Sequence, residues 1–257
     1  MRRFNSKTSA REHVWDRMTE ERVARFPFPI KGRIPNFVGA EKAAERLLEI
    51  EPWKSAKYLK INPDSPMRPL RLLALQRGIT YFMPTPRLAA GFMKFDPSKI
   101  PEASWARAAS LSSCKEYAEL ITLDELPQMD AIVAGSVAVT NEGYRCGKGA
   151  GYSDLEYSIL LDLGHKPVPV ATLIHDTQLV DVFPSEKTDL PLSIVVTPSR
   201  TIFVENPPGP PKGIDWARVS SADFDAMPVL RELESLVRDK LSVEIRADDH
   251  SCHSDDR

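Results

Sequence analysis

The sequence predicts an α/β fold, a three-layer α/β/α sandwich around a mainly parallel central sheet. Three observations carry the prediction. Between residues 40 and 83 the periodicity alternates helix, strand, helix, strand, the order that parallel pairing requires. Ala131-Ile-Val-Ala-Gly-Ser-Val-Ala-Val139 is apolar on both faces, as a strand in the middle of such a sheet must be. Many of the 22 prolines follow directly on strand-like runs, which predicts long loops at strand ends, where open α/β sheets bind ligands.

From Lys7 to Arg25, Val14, Trp15, Met18 and Val23 form a ragged apolar stripe between charges, which predicts a surface helix. Phe26-Pro-Phe-Pro-Ile30 ends it, because the residue before each proline is pushed out of the helical region. Ala43, Ala44, Leu47 and Leu48 predict a short helix over Ala40 to Leu48, and Arg71 to Gln76 another. Tyr58-Leu-Lys-Ile61 and Thr80-Tyr-Phe-Met83 are the strands beside them, and Val168 to Ile174 and Leu192 to Val196 predict two more. Pro228 to Leu241 carries a clean apolar stripe, with proline near the start, where its missing N–H costs little. After Arg246 only Ala247 and Cys252 are apolar, so residues 247–257 are expected to be a disordered acidic tail.

With 257 residues, 42% of them hydrophobic and 27% charged, the chain has material for a sizeable core and none of the bias of disordered or fibrous sequences. The 34 Lys and Arg balance 36 Asp and Glu, which gives no reason to expect nucleic acid or an anionic membrane as partner. No uncharged apolar run reaches the roughly 18–20 residues of a membrane span. Cys114, Cys146 and Cys252 are scattered, without Cys-x-x-Cys spacing or a signal-peptide-like segment, so a reducing cytoplasm is the expected location. Apart from His250-Ser-Cys-His253 in the polar tail, which reads as at most a chelator of stray metal, the histidines do not fall at metal-ligand spacing near a cysteine, which argues against structural zinc. The neutral total hides opposed ends: residues 1–35 hold nine basic and four acidic side chains, residues 215–257 six and eleven.

The densest chemical signal follows the central strand, in Gly143-Tyr-Arg-Cys-Gly-Lys-Gly-Ala-Gly-Tyr-Ser-Asp-Leu-Glu-Tyr157. Alternating Gly147, Gly149 and Gly151 leave backbone N–H groups unshielded, and a helix starting near Tyr152 would aim its positive end at the same place. Arg145 and Lys148 add cationic charge, and Asp154 in the first helical turn could hold Mg²⁺. The spacing is neither the Walker A pattern nor the dinucleotide fingerprint, so a phosphate cradle and a plain glycine-rich turn both fit.

Arg145-Cys-Gly-Lys-Gly-Ala-Gly-Tyr-Ser-Asp154 resembles the Arg-x-Gly-x-Gly-Gly-Gly-Tyr-Tyr-Asp signature of the 5-formyltetrahydrofolate cyclo-ligase (methenyltetrahydrofolate synthetase) family. Lys7 and Arg11 match that family's N-terminal Lys-x-x-x-Arg, and His175-Asp-Thr-Gln178, Asp189 and Val195-Val-Thr-Pro198 match its late segment. Ile34-Pro-Asn-Phe37, Pro84-Thr-Pro-Arg87, Gly135-Ser-Val-Ala138 and Asp154-Leu-Glu-Tyr157 look closer still to its diverged methenyltetrahydrofolate-synthetase-domain-containing branch. The resemblance spans about Lys7 to Trp216. It implies a cyclo-ligase-like α/β domain over residues 1–216, followed by a helical extension over 217–246 and the tail over 247–257.

The resemblance also implies ATP- and Mg²⁺-dependent cyclisation of 5-formyltetrahydrofolate to 5,10-methenyltetrahydrofolate. In that reading Arg145, Lys148 and Tyr152 carry the chemistry. Lys7, Arg11, Gly147, Lys148, Gly149, Ala150, Gly151 and Tyr152 bind the nucleotide, and Asp154 and Asp189 hold the metal. The partner is then a small molecule, a reduced folate or similar. The chain departs from the family at Ser153 and Leu155, where the family has tyrosine and arginine, and at Asn62-Pro-Asp-Ser-Pro66, where the family has a pterin-side glutamate for which Asp64 is a shorter substitute. These departures keep two alternatives open: a diverged paralogue that binds nucleotide without turnover, and an ATP-dependent enzyme acting on a related heterocycle in cofactor salvage.

Several residues admit two readings. Cys146 reads as a reactive thiol or a packing residue, and His175 with Asp176 as an acid–base pair or a structural turn. Trp105 is the tryptophan nearest the family's loop aromatics and reads either as a ring stacking on a pterin or as core or rim packing. Lys148 and Asp154 are both expected on a solvent-facing loop, where replacement changes melting little.

Overall fold

A computed structural model of the chain describes residues 3–238. Helix α1 (Lys7–Glu20) starts where the Ser6 hydroxyl accepts from the Ser9 amide, and it buries Ala10, Val14, Trp15 and Met18 on one face. It stops five residues before the expected end. Arg22 takes a left-handed backbone and the Val23 amide turns back to Met18 O, which frees Ala24–Arg25 (β1) to pair antiparallel with Asn36–Phe37 (β2). Then come α2 (Ala40–Leu47), β3 (Tyr58–Ile61), α3 (Arg68–Gln76), β4 (Thr80–Pro84), β5 (Phe92–Phe95), α4 (Trp105–Ala108), β6 (Glu119–Ile121) and β7 (Ala131–Val133). The ribbon β8 (Ala138–Val139) and β9 (Arg145–Cys146) precedes α5 (Tyr152–Asp162), β10 (Val170–Leu173), β11 (Ile194–Val196), β12 (Thr201–Phe203) and α6 (Ser221–Ala226).

Eight strands form one sheet in the order β12-β11-β10-β7-β3-β4-β5-β6. The middle five, β11 to β4 in that order, run parallel, and the outer three join antiparallel. Alternation along the strands makes three layers. Leu59, Ile61, Tyr81, Ala131, Val133, Ala171 and Ile194 face the core shared with α1, α2 and α3. Phe82, Ile132, Val170 and Val195 face the opposite core, with Ile159 and Leu160 of α5. The expected α/β/α architecture is thus the observed one.

The predicted single strand over Ala131 to Val139 is instead two, β7 and β8. Side chains capture the carbonyls between them: Arg145 donates to Gly135 O, and Gln178 Nε2 donates to Ser136 O and Val137 O. Ladder pairing cannot continue once those acceptors are taken. The antiparallel strands β5, β6 and β12 carry no clear sequence signal.

The C-terminal helix is present from residue 229 to the last described residue. Val229, Leu230 and Leu233 are buried there, and Glu232 accepts from the Leu123 amide at 2.6 Å, so it docks on the α5 face of the sheet. Its expected last turn, and the expected disordered tail over 247–257, lie outside the described residues.

Candidate active site

The parallel strands β3, β4 and β7 end at one edge of the sheet, and the loops that follow them wall a cavity of about 1260 Å³. Asn62, Pro63, Asp64 and Ser65 follow β3, and Pro84 to Leu88 close β4. The glycine-rich segment from Arg145 to Glu156 forms the wall on the β7 side. This is the strand-end location expected for an α/β sheet.

In the glycine-rich segment Gly149 has φ +112° and Gly151, the N-cap of α5, has φ +71°. Side chains rarely adopt either, so the turn that delivers bare amides to the start of α5 depends on glycine there. Lys148 and Ala150 are exposed, and Tyr152 and Ser153 half-buried, all lining the cavity. Arg11 reaches across from α1, with Nε donating to Gly147 O at 2.6 Å. Lys7, one turn earlier, pairs with Asp189 at 2.5 Å and Glu186 at 3.5 Å. Every nucleotide-side residue expected from the sequence therefore lines this one cavity. The arrangement suits an oligophosphate: open amides, a helix start and cations brought together from α1 and the turn.

Arg145 is buried, not exposed to the cavity as a free cation. Its Nη1 donates to Asp154 Oδ1 at 2.9 Å, Nη2 to Gly135 O at 2.9 Å and Nε to Ser136 Oγ at 3.3 Å. The same Asp154 oxygen accepts from the Leu190 amide at 2.9 Å. Asp154 thus braces the wall, which corrects its expected place on a freely solvated loop. Asp189 accepts from Lys7 and from the Glu186 amide at 2.8 Å. Among the described residues no cluster of three or more His, Cys, Asp or Glu forms a metal cage. Two carboxylates on one cavity nevertheless fit Mg²⁺, which keeps several waters and takes its other ligands from phosphates.

A polar chain on the cavity floor was missed in the sequence. Lys60 sits mid-strand in β3, points to the α5 face and is 1% exposed. It forms an ion pair with Glu156 of α5 and donates to Asn62 Oδ1 at 2.5 Å. Asn62 Nδ2 in turn donates to Ser153 Oγ at 2.7 Å. Burial pushes the Glu156 carboxyl above its ordinary value, with the Lys60 charge opposing. Asp64, also on this wall, is raised by burial against the opposing charges of Lys148, Arg71, Arg145 and Lys60. A lysine inside an otherwise apolar strand, Tyr58-Leu-Lys-Ile61, was the available signal.

The other candidates resolve structurally. Burial pushes the Cys146 thiol up, away from the thiolate a nucleophile needs, which supports the packing role. His175 Nδ1 pairs with Thr177, while Asp176 is held by Arg200, Ser199 and Thr197, so this pair caps a turn. Trp105 donates to Ile100 O and packs against the core outside the cavity, which removes it as a stacking ring. No helix among the described residues is long and apolar enough to cross a membrane.

With that geometry in hand, the comparisons with known proteins are specific. The profile of the 5-formyltetrahydrofolate cyclo-ligase family matches residues 4–198. The methenyltetrahydrofolate synthase domain-containing protein of Mus musculus is 40% identical over 236 residues, 89% of this chain and 63% of that protein. The chain therefore spans under two thirds of the length of such relatives. The 5-formyltetrahydrofolate cyclo-ligase of Escherichia coli K12 is 37% identical over 75 residues, 29% of this chain and 40% of the enzyme. A solved structure of Aquifex aeolicus 5,10-methenyltetrahydrofolate synthetase overlays with a TM-score of 0.48 at 16% identity, covering 77% of this chain and 93% of that one. The profile match spans the cavity walls from Lys7 to Asp189, and the chain belongs to the 5-formyltetrahydrofolate cyclo-ligase family.

Proposed function

We propose that the chain closes the ring of 5-formyltetrahydrofolate at the expense of ATP. The formyl oxygen attacks the γ-phosphorus and ADP leaves. N10 then attacks the activated formyl carbon, phosphate departs with the former formyl oxygen, N10 gives up its proton, and 5,10-methenyltetrahydrofolate remains. Such chemistry depends on positioning and on offsetting charge rather than on a covalent enzyme intermediate.

The observation that carries the proposal is the meeting of Lys7, Arg11, Lys148 and the Gly147-to-Gly151 amides at one end of a single large cavity. Lys7, Arg11 and Lys148 offset the triphosphate, while the amides of the turn and the start of α5 orient it. Arg145 holds the turn in shape through Gly135 and Asp154 and lends its charge to the phosphate side. Tyr152 lines the junction between nucleotide and folate. Asp154 and Asp189 are the residues that would hold Mg²⁺, which when bound screens the phosphate oxygens. Lys7 and Asp189 neutralise each other in the present geometry, so ligand entry exchanges that pair for contacts to phosphate and metal.

Purified protein with ATP, Mg²⁺ and 5-formyltetrahydrofolate should develop methenyltetrahydrofolate absorbance with matching ADP release. ATP binding without that absorbance would favour the alternative of a diverged nucleotide-binding paralogue. The Asn62–Ser153 contact, which joins two of the chain's departures from the family pattern, keeps that second reading in play.

A further inference from the structure

The polar chain under the cavity has a direction. Lys60 has three donors and no acceptor, so the Asn62 atom facing it is the amide oxygen. The Asn62 NH₂ then faces Ser153 and donates to it at 2.7 Å. Ser153 Oγ is used as an acceptor on that side, and its own proton is left to be given elsewhere. Glu156, paired with Lys60, anchors the other end of the relay within the protein. Ser153 and Asn62 both line the cavity, so the end of the relay opens on it.

We infer that Ser153 is a specificity-determining hydrogen-bond donor whose proton is aimed, through Glu156, Lys60 and Asn62, at a neutral carbonyl oxygen of the substrate ring. The neighbours decide the class of acceptor. Lys60 is already spent on Glu156 and Asn62, so this wall offers Ser153 as a neutral hydroxyl donor and no free cation of the relay for an anionic group, whereas a carbonyl accepts the proton without adding charge. The inference rests on the reading that the cavity holds a reduced folate. The formyl oxygen of that substrate must face the phosphoryl group, which leaves the 4-oxo group of the ring as the acceptor.

The test uses 5-formyltetrahydrofolate and its 4-amino-4-deoxy analogue, which presents a donor where the first presents an acceptor. Binding of each is titrated to the whole chain, to Ser153→Ala and to Asn62→Asp, with ATP affinity and thermal unfolding measured alongside. The original protein should favour the 4-oxo compound, and Ser153→Ala should lose about tenfold of that preference, the worth of one hydrogen bond. Asn62→Asp turns the Ser153 proton toward the new carboxylate and should shift preference to the 4-amino compound, with ATP affinity unchanged. If Asn62→Asp melts early, Ser153→Ala alone carries the test. An unaltered 4-oxo to 4-amino ratio in the variants overturns the inference while leaving the proposed function standing. A chain that binds ATP but neither pteridine refutes that function, and the inference falls with it.

Discussion

Arg145 and Asp154 form an ion pair at 2.9 Å in which the guanidinium is 2% exposed and the carboxylate 27%. The pair joins β9 to the first turn of α5, so the turn between them is a closed loop with its ends tied. Asp154 is also the residue the family resemblance assigns to the metal, so one side chain serves the wall and faces the ligand.

Replacing Asp154 with Ala should therefore destabilise the fold. It leaves Arg145 Nη1 and the Leu190 amide without their shared acceptor, at a cost of about 1–3 kcal/mol. For a chain of this size that is a fall of roughly 2–12 °C in melting temperature, read by thermal unfolding. Asp154→Asn, which can still accept from either donor, should fall less.

Lys148 behaves differently because its side chain is exposed at the tip of the turn. Lys148→Ala should leave the melting temperature unchanged while lowering ATP-dependent turnover by about 10²-fold, the scale of one lost charge-stabilising donor at a reacting centre. Parallel melting and steady-state assays of this variant separate the phosphate cradle from a structural glycine turn. A large loss of stability would support the turn.

The buried Lys60–Glu156 pair sets up a cycle. Lys60→Met alone leaves an uncompensated carboxylate beneath the cavity and should cost about 3–5 kcal/mol. Adding Glu156→Leu should recover most of that loss, since a buried ion pair replaced by packed apolar groups is often close to neutral. Urea unfolding of both singles and the double measures it, and a double variant as unstable as the sum of the singles would contradict the pairing.

Asp64 provides a pH signature. Burial raises its folded value above the ordinary 3.8, so the folded state binds the proton more tightly than the unfolded chain. Any stability from the neutral form is full below the ordinary value and is lost as pH rises through the folded one. Asp64→Asn should accordingly melt above the original protein at pH 7, with the gap closing as pH falls toward 4. A gap that widened on acidification would mean Asp64 is held as an ion by its cationic neighbours.

Much of this was legible in the sequence where periodicity or a local motif carried it. Tyr58–Ile61 appears as the strand expected from its own residues, and the helix expected to start near Tyr152 is α5. The glycine turn, Lys7, Arg11 and Asp189 lie on one cavity, as the family resemblance implied. What stayed hidden depends on distant partners. The break after β7 comes from Arg145 and Gln178 taking carbonyls, and no local pattern in Ala131 to Val139 encodes that theft. The Lys60, Asn62, Ser153 and Glu156 relay joins residues more than ninety positions apart, and only the pairing of β3 against α5 brings them together.

The central claim is that the formyl oxygen becomes a phosphate oxygen inside this cavity. It is tested most directly with 5-formyltetrahydrofolate labelled with ¹⁸O in the formyl group, turned over by the protein with Mg²⁺ and unlabelled ATP. The account predicts one ¹⁸O atom in each phosphate released, in step with methenyltetrahydrofolate formed. Unlabelled phosphate, or ring closure without consumption of ATP, would contradict it.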